Sequence, residues 1–264
     1  MLIDTHCHLT HDDFKKDFDA VIERAKQAGF AAILCSGINR PTNEQTLALA
    51  KKYPMIKASL GLYPIDLIGL APDEIGLSYQ KNINLDDELE FIQKHLKETT
   101  AIGEVGLDYY WSKEEFEHKK QRENFQKIIE FVEKINKPIV VHTRKAEADC
   151  IAMLEASKIK HVLLHTFEGN KKLIKKAADL GYFFSVPTKV AHDQHFQMLV
   201  SMVDINQIFT ETDAPYLSPI KGQRNEPAFI AHSIKKIAEI KKISEKEVED
   251  TIYKNFNNVF NPQK

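Results

Sequence analysis

The chain has 264 residues, of which 43% are hydrophobic, and a formal net charge of −2 from 36 basic and 38 acidic side chains. That balance excludes a protein that coats nucleic acid by bulk charge, although it leaves room for a local basic patch. Three widely spaced cysteines, Cys7, Cys35 and Cys150, argue for reduced thiols and a cytoplasmic protein. No apolar run reaches membrane-spanning length, and Asp4 and His6 stand where a signal peptide needs its apolar core.

The first predicted strand covers residues 2–8 and contains two histidines, His6 and His8. Side chains two residues apart in a strand share a face, so both imidazoles can converge on one point beyond its end. Asp4 shares that face and is a candidate to orient a ligating histidine. Cys7 points the other way and is interpreted as a small core residue. A single His-x-His is often incidental, so the pair indicates a metal site only if other ligands meet it.

Short apolar strands alternate with helices along the rest of the chain. The other predicted strands cover residues 30–35, 56–60, 101–105, 138–142, 161–165, 182–186 and 207–211. The predicted helices cover residues 14–28, 42–53, 85–97, 113–136, 146–157, 170–180, 191–203, a segment opened by Pro227, and 245–257. Between the third strand and the third helix, residues 65–84 form a long irregular stretch, which is typical of a functional or disordered loop.

Continuous apolar strands are typical of a parallel sheet that is buried on both faces. Eight strand–helix alternations predict an α/β fold of the (β/α)8 TIM-barrel type, in one domain spanning residues 1–264. A doubly wound open sheet is the alternative. A dinucleotide-binding version of it is disfavoured, because no Gly-x-Gly-x-x-Gly follows the first strand.

Histidines and acids recur where the predicted strands end. The set consists of His6, His8, Glu104, His142, His165 and Asp213. In a parallel barrel these strand ends lie on one rim, where barrel active sites are built. Four histidines and two carboxylates suit two divalent ions, and paired ions about 3.5–4 Å apart can activate water for phosphoester hydrolysis. The other histidines are interpreted as hydrogen-bonded or surface residues: His11, His95, His118, His161, His192, His195 and His232.

Three of the polar residues on this rim have competing interpretations. Glu104 is the candidate bridge between two ions, but its glycine neighbours, Gly103 and Gly106, also allow a loop cap. Asp213 can bind a metal, orient water or act as general base, and before Ala-Pro it can also form an Asx-turn. Arg144, two residues after a candidate ligand, is either a phosphate contact or the partner of an acid.

Six sequence blocks follow one another in a fixed order. They are Asp4-Thr5-His6-Cys7-His8, Gly103-Glu104-Val105-Gly106-Leu107-Asp108, His142-Thr143-Arg144, His165-Thr166-Phe167-Glu168-Gly169, Glu211-Thr212-Asp213-Ala214-Pro215-Tyr216 and Arg224-Asn225-Glu226-Pro227. Together the blocks resemble the TatD family of metal-dependent hydrolases. The resemblance implies an amidohydrolase-like barrel, two divalent metal ions (zinc, magnesium or manganese) and deoxyribonuclease activity. It carries the family's metal-ligand role onto the six rim residues named above.

The resemblance implies a nucleic acid substrate, DNA in preference to RNA, that an exonuclease cleaves with metal-activated water. Glu104 and Asp213 are the predicted catalytic residues, and Arg144, Tyr63 and Lys189 are the predicted substrate contacts. Two alternatives stay open: a D-aminoacyl-tRNA deacylase acting at the same metal site, and a non-catalytic barrel scaffold, against which the intact ligand set argues. No membrane association and no obligate protein partner are predicted.

The sequence departs from the family pattern in two blocks. Many relatives have Gly-x-His-Pro after the third strand, where this chain has Tyr63 in place of the histidine. The block after the sixth strand usually reads His-Cys-Phe-Ser-Gly, where this chain has Thr166 and Glu168 in place of the cysteine and the serine. We expect Tyr63 and Glu168 to affect substrate preference, Tyr63 through its hydroxyl and Glu168 through its negative charge near a phosphate site.

Overall fold

The computed structural model describes residues 1–70 and 83–261. Most of the irregular stretch predicted at residues 65–84 therefore lies outside the described residues. At its described beginning, Asp66–Ile68 form one turn of 3-10 helix, which Gly69 ends in the left-handed conformation with φ of 76°. The third helix begins at Leu85.

Eight parallel strands form the sheet, and each one pairs with the next in chain order. The strands are β1 (Leu2–Cys7), β2 (Phe30–Ser36), β3 (Ile56–Leu60), β4 (Thr99–Asp108), β5 (Ile139–Arg144), β6 (Val162–His165), β7 (Phe183–Pro187) and β8 (Ile208–Glu211). Almost every strand residue is buried, as expected for a sheet covered on both faces. The sequential strand order is that of a TIM barrel and not of a doubly wound sheet, so the barrel prediction is confirmed.

The barrel closes where β8 meets β1. Along the two strands the contacts are made by threonine hydroxyls: Thr5 Oγ1 donates to Thr210 O at 3.0 Å, and Thr210 Oγ1 donates to Ile3 O at 2.6 Å. Beyond the end of β8, the backbone N–H of Asp213 donates to the carbonyl of His6 at 2.9 Å. The next residues of the two segments, Cys7 and Ala214, form a parallel β-bridge. The seam thus brings the segment after β8 beside the two histidines of β1.

Nine α-helices surround the sheet in the described part of the chain. They are α1 (Phe18–Gln27), α2 (Arg40–Lys52), α3 (Leu85–Lys94), α4 (Glu115–Ile135), α5 (Glu147–Glu155), α6 (Lys171–Asp179), α7 (Gln194–Met202), α8 (Ile230–Lys241) and α9 (Glu245–Phe260). Capping boxes begin α2 at Asn39 and α9 at Ser244. No helix within residues 1–70 and 83–261 has both the length and the apolar character needed to cross a membrane.

Three helices begin three or more residues later than the sequence predicts. Phe14 lies in a short 3-10 helix, four residues before α1. The helix predicted at residues 191–203 begins at Gln194, because Asp193 caps it by accepting the N–H of His195. Pro227 opens a 3-10 turn, and α8 follows it. Before α1 and α8 a short 3-10 segment overlaps the first predicted turn.

Strand β4 is longer than predicted and continues through Gly106 to Asp108. Glu104 is therefore a strand residue, and its interpretation as a loop cap is wrong. A Cβ atom on Gly106 would lie 2.1 Å from His142 O, and one on Gly61 would lie 2.0 Å from the backbone nitrogen of Glu104. Glycine is needed at these two positions because neighbouring backbone approaches so closely. The close packing places β4 directly against the ends of β3 and β5.

Candidate metal centre

The six predicted ligands meet at the carboxyl ends of the strands, and Glu104 lies at their centre. Its Oε2 atom lies 3.3 Å from His6 Nε2 and 3.4 Å from His8 Nε2. Its Oε1 atom lies 2.7 Å from His142 Nδ1 and 3.4 Å from His165 Nε2. Each carboxylate oxygen therefore faces a different pair of histidines, which is the arrangement a bridging carboxylate requires.

The carboxylate of Asp213 completes the pair formed by the two β1 histidines. Its Oδ1 atom lies 3.4 Å from His8 Nε2 and 3.7 Å from His6 Nε2. The residue adopts a left-handed backbone conformation with φ of 55°, which aspartate tolerates better than most residues. Its backbone carbonyl accepts the N–H of Tyr216 at 2.9 Å, so the turn is closed by the main chain and the carboxylate is left facing the histidines.

The hydrogen bonds of His8 test whether this side of the centre fits a cation. His8 Nδ1 lies 3.2 Å from the carbonyl oxygen of Ser36, which can only accept, so Nδ1 carries the proton of the neutral ring. His8 Nε2 then carries a lone pair. This atom lies 3.2 Å from His6 Nε2 and 3.4 Å from both Glu104 Oε2 and Asp213 Oδ1. A cation fits among these atoms, and imidazole with carboxylate is a donor set that zinc or manganese accepts.

On the other side of the centre, His142 is oriented by a buried carboxylate. His142 Nε2 lies 3.0 Å from Asp108 Oδ2, which leaves Nδ1 for Glu104. Asp108 is itself fixed, because its Oδ1 accepts the N–H groups of Tyr110 at 2.9 Å and Trp111 at 3.1 Å. The arrangement matches the carboxylate–histidine pairs that orient metal-binding imidazoles.

His165 is oriented in the same way by Glu211, the last residue of β8. Its Nδ1 atom lies 3.3 Å from Glu211 Oε2, and Nε2 faces the central carboxylate. Glu211 also accepts the N–H of Thr166 at 2.9 Å and the hydroxyl groups of Thr166 and Ser185. With four donors, a fully buried carboxylate is held in one orientation.

Sequence reasoning missed the roles of Asp108 and Glu211. A signal was available for Asp108, which lies four residues after Glu104 in β4. Side chains an even number of residues apart point to the same face of a strand, so Asp108 points toward the side that carries Glu104. Parity does not apply to Glu211, because β8 ends there and Asp213 lies beyond the strand in a left-handed conformation.

Histidine and acid atoms close enough for a metal ion form three groups among the described residues. The groups are His6–His8–Glu104, Glu104–His142–His165 and His6–His165–Glu211, with the ligand atoms of each within 4.8 Å of one another. Glu104 belongs to two of them. The His6 and His165 rings stack with their centroids 3.8 Å apart, so the two sides of the centre are in direct contact.

The histidines keep the central carboxylates ionised. Burial opposes ionisation of Glu104, but hydrogen bonds from His142, His165 and His6 outweigh it and hold the pKa of this carboxyl well below its usual range. Burial likewise opposes ionisation of Asp213, whose pKa is lowered by His8 and by the charges of nearby histidines. The centre thus presents two negative charges at its middle, as a cation site requires.

Asp4 accepts backbone N–H groups beside the centre, whereas the sequence predicts that it orients an imidazole ring. Its Oδ1 atom accepts the backbone N–H groups of His6 at 3.2 Å and Thr212 at 3.0 Å, and Oδ2 accepts the Thr212 hydroxyl at 2.6 Å. Complete burial raises the pKa of Asp4 to about 8. The side chain thus ties the end of β1 to the segment after β8, which positions the backbone of two predicted ligands.

A cavity of about 410 Å³ opens onto the centre, and the three predicted substrate contacts line it. Tyr63 donates its hydroxyl to Asp108 Oδ2 at 2.8 Å, and Lys189 Nζ lies 2.9 Å from Asp193 Oδ2. The Arg144 guanidinium lies over the ring of Tyr110, 3.9 Å from its centroid. Their contact with substrate stays a prediction.

Glu168, the second departure from the family pattern, also lines this cavity and is exposed. Its negative charge therefore lies at the cavity, together with the positive charges of Arg144 and Lys189. The cysteines lie away from the cavity lining: Cys7, Cys35 and Cys150 are buried, unpaired thiols. Cys7 is a core residue, as predicted.

Comparison with known proteins identifies the family. The profile of the TatD-related DNase family matches residues 3–261. An uncharacterized metal-dependent hydrolase of Methanocaldococcus jannaschii is 38% identical over 96% of this chain and 94% of its own, and human deoxyribonuclease TATDN3 is 34% identical over 94% and 90%. The crystal structure of a TatD homologue from Escherichia coli superposes with a TM-score of 0.87 at 22% identity, covering 99% of this chain and 98% of that one. The chain therefore belongs to the TatD family of metal-dependent hydrolases.

Proposed function

We propose that this hydrolase cleaves phosphodiester bonds of DNA, as an exonuclease, with two divalent metal ions at the centre described above. One observation carries the proposal: the two oxygens of Glu104 face two different histidine pairs, at 3.3–3.4 Å on one side and 2.7–3.4 Å on the other. A carboxylate between two sets of ligands is how paired metal ions are held in enzymes that hydrolyse phosphate esters. The deoxyribonuclease name of the human relative supports DNA as the substrate.

The donor atoms divide into two sets that share Glu104. His6, His8 and Asp213 would hold one ion together with Oε2, and His142 and His165 would hold the other together with Oε1. Zinc, manganese and magnesium are the candidates; the histidine nitrogens favour zinc, and the carboxylates also suit manganese and magnesium. Ions bound there would supply Lewis acidity, which activates water near neutral pH and neutralises charge on a phosphodiester.

The protein's own residues orient the reactants. Asp213 faces both the β1 histidines and the cavity, so its carboxylate would orient the attacking water and accept its proton. Water adds to phosphorus as the bond to the leaving sugar oxygen breaks. Arg144 and Lys189 would bind phosphate oxygens from the cavity wall, where the guanidinium offers a planar pair of donors.

Purified protein loaded in turn with zinc, manganese and magnesium should degrade end-labelled DNA from a terminus. Asp213→Asn at matched metal content should lose at least about a hundredfold in rate. The control is an active TatD relative assayed in parallel. DNA left intact by every metal form of the wild type, while the relative degrades it, would contradict the proposal.

The two alternatives can be tested with the same preparations. Deacylation of D-aminoacyl-tRNA without nuclease activity would favour the ester substrate, and inactivity of the wild type on both substrates would favour a scaffold. Neither alternative gains support from the relatives described above.

A further inference from the structure

The wall of the cavity contains Trp111, which follows the end of β4. The indole is half-buried, lines the cavity and packs against an apolar cluster formed by Ile38, Tyr63 and Ile65. That packing fixes an aromatic ring on the wall of a cavity whose floor carries the candidate metal ligands. A fixed aromatic ring beside a phosphate site is a surface on which a flat ligand can stack.

A planar cation lies next to the indole. The Arg144 guanidinium lies 5.5 Å from the centroid of the Trp111 ring and 3.9 Å from that of Tyr110. Tyr110 is 40% exposed, and on its ring also lies the Lys113 ammonium, 5.0 Å from the centroid. The aromatic contacts hold the guanidinium at the cavity and restrict its orientation, so its N–H donors stay beside the indole.

Two buried polar atoms on this wall lack partners. Within residues 1–70 and 83–261, only four buried side-chain nitrogen or oxygen atoms make no hydrogen bond, and Trp111 Nε1 and Thr143 Oγ1 are two of them. Both residues line the cavity. A buried donor without a partner is costly, and an acceptor on a bound ligand that reached it would remove that cost. A nucleotide whose base stacks on the indole face carries such acceptors in its sugar and phosphate oxygens.

We propose that Trp111 forms a stacking subsite for the nucleobase of the nucleotide whose phosphate reaches the metal centre, with Arg144 held beside the indole to bind that phosphate. The inference rests on the proposed function and names the part of the substrate that the wall recognises. The cavity, at about 410 Å³, lies at the small end of the range for single ligands, which suits one unpaired nucleotide. Stacking tolerates every base because every base has a π-face.

Trp111 is the only tryptophan in the chain, so its fluorescence reports on this subsite directly. Metal-loaded protein is titrated with a deoxynucleoside monophosphate and, separately, with deoxyribose 5-phosphate, which carries the same phosphate without a base. We expect saturable quenching by the nucleotide and none by the sugar phosphate. A free tryptophan derivative titrated alongside corrects for absorbed light. No saturable quenching by the nucleotide, or equal quenching by both ligands, would overturn the proposal.

Cleavage rates provide a second readout. Oligonucleotides ending in a normal or an abasic nucleotide are compared for wild type, Trp111→Leu and Trp111→Phe. We expect the wild type to cleave the normal terminus roughly five- to a hundredfold faster than the abasic one. Trp111→Leu should lose most of that preference, because its KM for the normal terminus rises. Trp111→Phe should retain part of the preference. Phe116→Ala is the matched control, because Phe116 is a 72% exposed aromatic residue in the first turn of α4 that does not line the cavity.

The two proposals fail in different ways. If the wild type cleaves no DNA, the proposed function fails, and the quenching experiment still decides whether the wall binds a base. If the wild type cleaves normal and abasic ends equally well, or Trp111→Leu keeps the wild-type preference, DNA hydrolysis stands and the stacking subsite is refuted.

Discussion

The two sides of the candidate centre hold their histidines with different partners. On the His6–His8 side, both rings contact Ser36: His6 Nδ1 lies 3.2 Å from its hydroxyl oxygen, and His8 Nδ1 lies 3.2 Å from its carbonyl oxygen. On the His142–His165 side, both rings contact buried carboxylates, those of Asp108 and Glu211.

The two kinds of partner differ in charge, although both orient an imidazole ring. A hydroxyl or carbonyl group can fix the tautomer and direction of an imidazole, whereas a carboxylate also makes the ring a stronger base and adds negative charge near a bound cation. The partners' effect is visible on the ring of His142, where burial favours the neutral form but Asp108 and Glu104 together raise the pKa to about 9. We therefore expect the His142–His165 side to depend on its partners more than the His6–His8 side does.

Glu104→Gln should have the largest effect, because this carboxylate is shared by both sides. The amide keeps the size of the side chain and removes the charge that faces all four histidines. We expect activity to fall by more than about a hundredfold. That loss exceeds the 10- to 100-fold loss that is typical when a residue hydrogen-bonded to a metal ligand is replaced. The number of metal ions bound per chain, measured by elemental analysis after dialysis, should fall because both sides lose a ligand. Bound metal at the wild-type stoichiometry and wild-type activity would contradict the shared role.

Asp108→Asn and Glu211→Gln test the charge of the partners. Each amide keeps one oxygen that can accept from its histidine, but its NH2 group replaces an oxygen that accepts other donors, so the charge and part of the orienting hydrogen bonds are lost together. We expect metal affinity on the His142–His165 side to fall by about 10- to 100-fold, measured by competition with a chromogenic chelator. Thermal unfolding of the metal-free proteins is the control for damage to the fold. Unchanged affinity in both variants would show that charge does not matter on this side.

Tyr63→Phe distinguishes two roles for a residue predicted to contact substrate. Its hydroxyl donates to Asp108 Oδ2 at 2.8 Å, so the structure supports a positioning role through Asp108 and His142. If Tyr63 acts only through Asp108, the variant should lose about tenfold or less in metal affinity and kcat, with KM for DNA unchanged. A rise in KM at full metal loading would instead favour direct contact with substrate.

The contact between Tyr63 and Asp108 is an example of a contact that the sequence alone does not predict. Strand alternation and the barrel count were enough to bring His6, His8 and Asp213 to one rim, because each lies at a strand end and all parallel strands end on the same side. The partners were harder to predict. The Asp108–His142 pair is separated by 34 residues, and it forms because β4 continues beyond its predicted end.

The remaining contacts depend on register and on backbone outside the strands. His165 meets Glu211 across 46 residues only once β6, β7 and β8 are aligned side by side. Ser36 holds two histidines, one of them through its carbonyl, and a carbonyl carries no residue-specific signal in a sequence. The side chains that bind a metal ion are chemically distinctive, whereas the groups that orient them are ordinary residues identified by position alone.

Ser36→Ala should have the smallest effect and tests the His6–His8 side directly. The substitution removes the hydroxyl from His6 Nδ1 but keeps the carbonyl that orients His8. One neutral hydrogen bond contributes about 1 kcal/mol, so metal affinity should fall by about fivefold or less, measured with the same chelator as for Asp108→Asn. Asn39→Ala is a poor control because it disrupts the cap of α2, so Ser36→Thr, which keeps a hydroxyl, is preferable. A loss in Ser36→Ala as large as in Asp108→Asn, with Ser36→Thr near wild type, would mean that orientation and not charge governs both sides.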